Sequence, residues 1–354
     1  MADAYGVVAD RDGARFSVAR DGAHAIALAP LAHAGVLDVP TSTFDEPALN
    51  RFVALGHEAW TVVRERLEGI DAPRIALAEL TPVMPVTIRD YVDCYSSLEH
   101  ATNVGRLFRP DAEDPLPPAW RHLPIAYHGR AGTIVVSGTQ VRRPYGIRGP
   151  GDHGPERRLD VELELGLICG PGPSLGTPVP IATAHEHLFG VVIVNDWSAR
   201  ELQRFEYQPL GPFLGKSFAT SISPWVVPFD ALPLVHGPVQ DPEPLPHLRA
   251  TAPGAIDAEL EIELNGTVIS RVNARGLYWS PAQQLAHVTS NGATIAAGDL
   301  IATGTISGAE PGTQGCLLEL GDGFLADGDT VVLRGRAGAI DLGEVRGTVV
   351  PARE

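Results

Sequence analysis

Asp160-Val-Glu-Leu-Glu-Leu-Gly166 and Gly190-Val-Val-Ile-Val-Asn-Asp196 are the two stretches on which the reading of this chain turns. In the first, acids alternate with apolar residues, and the two-residue period of a strand puts Glu162 and Glu164 on one face, about 7 Å apart. The second is a short continuous apolar run, the pattern of a strand buried on both faces, and it delivers Asn195 and Asp196 at its end, where a carboxylate needs a partner. Further short strands such as Thr133-Ile-Val-Val-Ser137, separated by Gly and Pro turns, give a mainly β protein with some α, class α+β. The alternation alone is not specific. Asp257-Ala-Glu-Leu-Glu-Ile-Glu-Leu264 repeats it and runs into Asn265-Gly266, a hairpin signal, so the ordinary reading of either stretch is a solvated strand face. Asp196 has an ordinary reading too, as a helix cap just ahead of Ser198.

Upstream, residues 5–40 alternate short apolar runs with Gly and Asp, which predicts a few strands in a small barrel. Leu49, Phe52, Val53, Leu55, Trp60 and Val63 predict one helix across 48–67. Pro82 and Pro85 punctuate a boundary, giving domains at 1–86 and 87–354, in line with the two domains that 354 residues suggest.

A net charge of −16 argues against a nucleic-acid surface, which needs clustered Lys and Arg, and leaves small ligands as the expected partners. No apolar run reaches membrane-spanning length, and the start Met1-Ala-Asp-Ala-Tyr5 lacks the basic and apolar regions of a secretory signal, so a cytoplasmic protein is expected. Cys94, Cys169 and Cys316 are odd in number and far apart, which suits buried thiols in a reducing compartment.

Several other stretches carry polar chemistry. Ser96 to Glu99 has capping-box spacing, placing His100 in the first turn of a short helix ended by Gly105, just after an extended segment with Asp93 and Tyr95 on one side. His100 is a candidate base, although a lone histidine is commonly structural. Ser198 to Glu201 has the same spacing and predicts a helix at 199–207, with Arg200, Gln203 and Tyr207 on one face. Lys216 lies in the stiff loop Pro209-Leu-Gly-Pro-Phe-Leu-Gly-Lys-Ser-Phe218. His185-Glu186-His187 fits no zinc motif. Several carboxylates for a divalent cation and a base beside them point to metal-assisted hydrolysis.

Together these segments resemble the fumarylacetoacetate hydrolase family. The resemblance rests on Asp93-Cys-Tyr-Ser-Ser, His100-Ala-Thr-Asn-Val-Gly, Leu123-Pro-Ile-Ala-Tyr-His-Gly-Arg, Asp160-Val-Glu-Leu-Glu, Asn195-Asp-Trp-Ser-Ala-Arg, the Pro209–Phe218 loop and Gly304-Thr-Ile-Ser-Gly, with a weaker likeness at Phe44–Asn50 and Leu55–Trp60. It implies an N-terminal SH3-like barrel, a C-terminal mixed β-roll and a homodimer. It also implies a calcium or magnesium ion held by Asp93, Glu162, Glu164 and Asp196, with Lys216 and Thr220 near that ion or an additional one. Tyr95, Arg109, Tyr127, Gln203, Tyr207 and Thr305 match substrate-contacting positions. His100 matches a general base and Glu319 its orienting acid, with Arg200, Gln203 and Lys216 around an oxyanion. The implied reaction cleaves a carbon–carbon bond of fumarylacetoacetate, a diketo dicarboxylic acid, to fumarate and acetoacetate, the last step of tyrosine and phenylalanine breakdown. An acylpyruvate hydrolase, a decarboxylase-isomerase or an inactive metal-stabilised scaffold are the rival readings. Ala219, where glycine is expected, and an abbreviated 148–158 segment depart from the family pattern.

Overall fold

The computed structural model describes residues 3–353; Met1 and Ala2 of the N-terminal reading lie outside them. Strand Leu188–Asp196 is buried along its whole length, as its unbroken apolar run predicts, and it pairs antiparallel with the equally buried Leu163–Cys169. A 13-stranded sheet is built around this pair, running from Ile75–Ala76 through His24–Ala27, Arg15–Asp21, Ala4–Ala9, Trp225–Pro228, Leu188–Asp196, Leu163–Cys169, Leu300–Ala302 and Tyr91–Cys94 to Ala126–His128, with further short strands beside this path. A second sheet of five strands runs Thr267–Asn273, Glu259–Leu264, Thr330–Ala337, Ile340–Val350, Val141–Arg142.

The two faces of the central strands explain their burial. Leu163, Leu165, Leu167, Val191 and Ile193 pack in one core with Leu260, Ile262, Val331, Leu333 and Leu342 of the five-stranded sheet. Ile168, Val192 and Val194 face the other way and join Tyr5, Phe52, Trp60 and Phe189 from the N-terminal part and its neighbours. Alternate residues thus serve different cores, which requires apolar side chains on both sides.

The N-terminal strands do not close into a barrel. Ala4–Ala9 pairs with Arg15–Asp21 on one side and, on the other, with Thr81–Val83 and with Trp225–Pro228 of the large sheet. Merging the two parts satisfies backbone groups that an isolated small sheet would leave unpaired at its edge. The helix expected over 48–67 is two, Asn50–Val53 and His57–Leu67, because Gly56 between them sits at φ +86°, a left-handed conformation that a continuous helix excludes. The Asn265-Gly266 turn forms as read, with both residues at positive φ and Leu264 opposite Thr267. The protein is therefore mainly β with α, and no helix among the described residues is long and apolar enough to cross a membrane.

Candidate active site

Strand register brings together acids that are far apart in the chain. Glu164 lies opposite Val194, so Asp196, two residues further on, shares its face. Gly166 lies opposite Ala302, and Ala302 lies beside Asp93, which puts Asp93 on that face as well. Carboxylate oxygens of Asp93, Glu164 and Asp196 fall within 4.8 Å of one another, and all three residues are buried. The same register supplies their neighbours. Tyr127, opposite Asp93, donates to Asp93 (3.0 Å) and Asp196 (2.7 Å); Tyr91 donates to Asp93 (3.1 Å); Thr220, opposite Asp196, donates to it (3.2 Å). A slip of one residue in any of these pairings would turn the acid to the opposite face.

Burial, then the charge of Asp196, pushes the Asp93 carboxyl well above its usual range, and burial followed by Asp93 and Asp196 does the same to Glu164. Asp93 Oδ1 and Glu164 Oε1 are buried without a hydrogen-bond partner. Clustered anionic oxygens with unused lone pairs fit a hard dication, which relieves both their repulsion and their desolvation. Glu162, the fourth expected ligand, has its carboxylate against two cations: Arg200 Nη1 lies 2.7 Å from Oε1, and Lys216 Nζ donates to Oε2. Burial raises its pKa, but Lys216 and Arg200 outweigh that and hold it below the usual range. Lys216 also donates to Asp196 (2.6 Å) and so bridges the two acids.

His100, buried on helix Leu98–Phe108, places Nδ1 2.6 Å from Glu319 Oε2. Glu319 further accepts from Asn103 (2.9 Å), Ser307 (2.8 Å) and the Cys316 thiol (3.1 Å). Burial opposes ionisation of Glu319, yet His100 and these donors bring its pKa down to about 2, so it is a carboxylate at neutral pH. An imidazole whose Nδ1–H donates to a carboxylate carries its lone pair on Nε2. The Tyr95 ring stands edge-on to His100 at 5.4 Å, and His100 is close enough to Glu162 to help lower its pKa.

The other expected residues are held by contacts of their own. Arg200 opens helix Arg200–Glu206 and reaches Gln203 Oε1 (3.2 Å) as well as Glu162. Tyr207 stacks on Phe108 at 6.3 Å, which links that helix to the one bearing His100. Arg109 donates to the Pro115 carbonyl (2.5 Å) beyond the end of the His100 helix. Thr305 Oγ1 is buried without a hydrogen-bond partner.

The chain matches the model described as "Fumarylacetoacetate (FAA) hydrolase C-terminal" over residues 91–350 and that described as "Fumarylacetoacetase N-terminal" over residues 4–76. It belongs to the fumarylacetoacetate hydrolase family. Fumarylacetoacetases of Bos taurus and Homo sapiens are each 45% identical to it over 363 residues, covering 90% of this chain and 86% of theirs, and that of Arabidopsis thaliana is 40% identical over 92% and 89%. Among solved structures, fumarylacetoacetate hydrolase from Exiguobacterium antarcticum shares the fold with a TM-score of 0.64 at 21% identity, covering 99% of this chain and 100% of that one. Maleylpyruvate hydrolase from Sphingobium sp. SYK-6, solved with manganese(II) and pyruvate, shares it at 0.59 and 18%, over 98% and 100%.

Not every local expectation holds in this family member. Ser97, not Ser96, caps the His100 helix, accepting from the His100 amide, while the Ser96 hydroxyl accepts from Gln284. That helix runs on to Phe108, and Gly105 serves close approach instead of termination: a Cβ there would meet the Pro115 carbonyl oxygen at 2.1 Å. Ser198 does not cap the second helix, for its hydroxyl donates back to the Asp196 carbonyl (3.1 Å) and Glu201 pairs with Arg157. The buried Glu156 takes the cap's place, accepting from the amides of Glu201 (3.3 Å) and Leu202 (3.1 Å). Glu156, Asp160, Tyr91, Asn103 and Ser307 were not singled out from sequence. Tyr91 alone carried a local signal, two residues from Asp93 on the same strand face.

The look-alike stretch is the decoy it was read to be. Glu259 is exposed, Glu261 and Glu263 pair with Arg271 and Arg334, and Asp257 accepts from Asn273. Asp257→Asn and Glu259→Gln are therefore expected to leave bound calcium or magnesium unchanged within error when the purified protein is assayed by elemental analysis.

Proposed function

We propose that the protein hydrolyses 4-fumarylacetoacetate to fumarate and acetoacetate, the closing step of tyrosine and phenylalanine breakdown. One observation carries the reading: the His100–Glu319 dyad connects to the Asp93, Glu164 and Asp196 cluster through Glu162, which feels His100 and shares Lys216 with Asp196, in a chain 45% identical to named fumarylacetoacetases. In this reading Asp93, Glu162, Glu164 and Asp196 hold calcium or magnesium, since all-oxygen donors favour hard cations, with Lys216 and Thr220 flanking the site. Bound there, such an ion supplies Lewis-acid stabilisation of the negative charge that builds up on a 1,3-dicarbonyl.

The chain's own groups do the rest. Glu319 holds His100 with Nδ1 protonated, so Nε2 takes a proton from water as the water oxygen bonds to the carbonyl carbon next to the fumaryl group. Arg200 Nη1, the Gln203 amide and Lys216 Nζ face the oxyanion so formed; single donors of this kind are typically worth about 3 to 4 kcal/mol. The carbon–carbon bond then breaks, its electron pair leaves on the acetoacetate carbon, and a proton passes to that carbon from the imidazolium, so hydroxide ends in fumarate and hydrogen in acetoacetate. Arg109 pairs with a substrate carboxylate, and Tyr95, Tyr127, Tyr207 and Thr305 bind its oxygens. The reading includes a domain boundary near residue 86, between the two matched family segments, a homodimer, as the family resemblance implies, and a cytoplasmic location.

The test is loss of absorbance of purified fumarylacetoacetate in the presence of the protein. Turnover is expected, abolished by chelator and restored by magnesium or calcium. Cleavage of acylpyruvates with fumarylacetoacetate left intact would refute the substrate.

A further inference from the structure

Asp160 touches neither the carboxylate cluster nor the dyad, yet its side chain is bound from both directions. It is fully buried. Oδ1 accepts from the amides of Val161 and Leu317 (2.8 Å each), Oδ2 accepts from the Leu318 amide (3.1 Å) and from Arg200 Nε (2.8 Å), and Arg200 Nη2 lies 2.8 Å from Oδ2. The donors come from separate parts of the chain. Leu317 and Leu318 are the first residues of the four-residue helix Leu317–Leu320, which carries Glu319, and Arg200 opens the helix Arg200–Glu206.

A one-turn helix has almost no stability of its own, and its leading amides need outside acceptors. Cys316 at its N-cap provides no side-chain acceptor, so Asp160 supplies it. Those two bonds set the direction of the turn, hence of Glu319 and of the imidazole it holds. At the other end, Nε donates to Oδ2 and Nη2 lies against the same oxygen as an ion pair, which leaves Nη1 as the edge of the guanidinium that faces Glu162 and Gln203.

We infer that Asp160 is a positioning residue that fixes Glu319 and Arg200 relative to one another, so that the proton-transfer dyad and the cationic side of the site share one frame. The inference rests on the function proposed above. A buried carboxylate that served only stability would tie down backbone anywhere; this one ties together the two side chains whose relative placement decides whether hydroxide forms where the oxyanion is received. Misplacement by about 1 Å costs on the order of 100-fold in rate.

Asp160→Asn keeps the shape but turns an N–H₂ toward groups that are all donors. It is expected to lower kcat about 100-fold, change KM by less than about threefold, and leave magnesium or calcium titration unaltered. The low-field NMR signal of the His100 Nδ1 proton, assigned by its loss in His100→Ala, is expected to shift or broaden away. A folded Asp160→Asn with kcat within about threefold of wild type, or with that signal unmoved, overturns the inference. Should the variant not fold, Arg200→Lys keeps Asp160 and the charge but loses the Nε hydrogen bond to it; the signal is expected to move there too, and an unmoved one is equally fatal. The NMR readout needs no substrate. Failure of the wild type to cleave fumarylacetoacetate therefore refutes the proposed function alone, while the proton signal still decides the role of Asp160.

Discussion

His100→Ala is expected to lower kcat for fumarylacetoacetate by roughly 10²- to 10⁴-fold, the usual contribution of a positioned general base, while leaving cation binding intact. The imidazole touches none of the three clustered carboxylates, so its removal spares that cluster. Glu319 retains Asn103, Ser307 and Cys316 as donors and remains fixed. Its depressed pKa gives a sign to the pH dependence. Because Glu319 ionises in the fold at about 2, against an ordinary value of 4.5, the stability it contributes is complete above that ordinary value and is lost progressively as pH falls from there through about 2. Ionisation of the orienting acid therefore does not limit activity at neutral pH. Steady-state kinetics with circular dichroism and a magnesium titration check the prediction; a folded variant with wild-type kcat would remove His100 from the reaction.

The second large effect concerns the cation and runs with pH in the opposite sense. Asp93 and Glu164 have folded-state pKa values well above ordinary carboxylates, so in chelated protein the native state holds protons that the unfolded chain releases. Stability of the chelated form is then expected to fall as pH rises above the ordinary carboxylate range. Cation binding replaces those protons, so it strengthens with pH and adds stability by mass action, about 2.7 kcal/mol at a free concentration 100 times Kd. The gap in Tm between magnesium- or calcium-loaded and chelated protein should thus widen from about pH 5 to about pH 8. Glu164→Gln should shrink that gap and abolish turnover. A gap independent of pH, or unchanged in Glu164→Gln, would mean the ion binds elsewhere. Calorimetric scans in paired buffers measure it.

Much of this was legible in the chain. The apolar run at 190–194 reads as a strand buried on both faces, and the strand it forms ends on Asp196. The seven motifs carried the family, and the acids, dyad and cationic residues they named lie around one centre. What they did not carry was contact. Identical alternation at 161–164 and 257–264 gave one buried stretch and one solvated face, because the difference lies in which strands pair with each, not in the strands themselves. Capping boxes at Ser96 and Ser198 had the right spacing and failed, since a distant side chain, Gln284 in one case and Glu156 in the other, competed for the same groups. The expected barrel opened because Trp225–Pro228, more than 200 residues away, was the better edge partner for Ala4–Ala9.

By itself, then, the sequence determined the class of fold, the positions of its buried strands and the list of residues able to hold a hard cation and move a proton, because periodicity and side-chain chemistry are local properties. Tertiary structure alone decided that Asp93, Glu164 and Asp196 face one another, that Glu162 turns to Arg200 and Lys216, and that Asp160 joins the turn bearing Glu319 to Arg200. Those outcomes depend on hydrogen-bond register and burial between segments separated by more than 200 residues, as Asp93 and Ala302 are, and no local pattern encodes them.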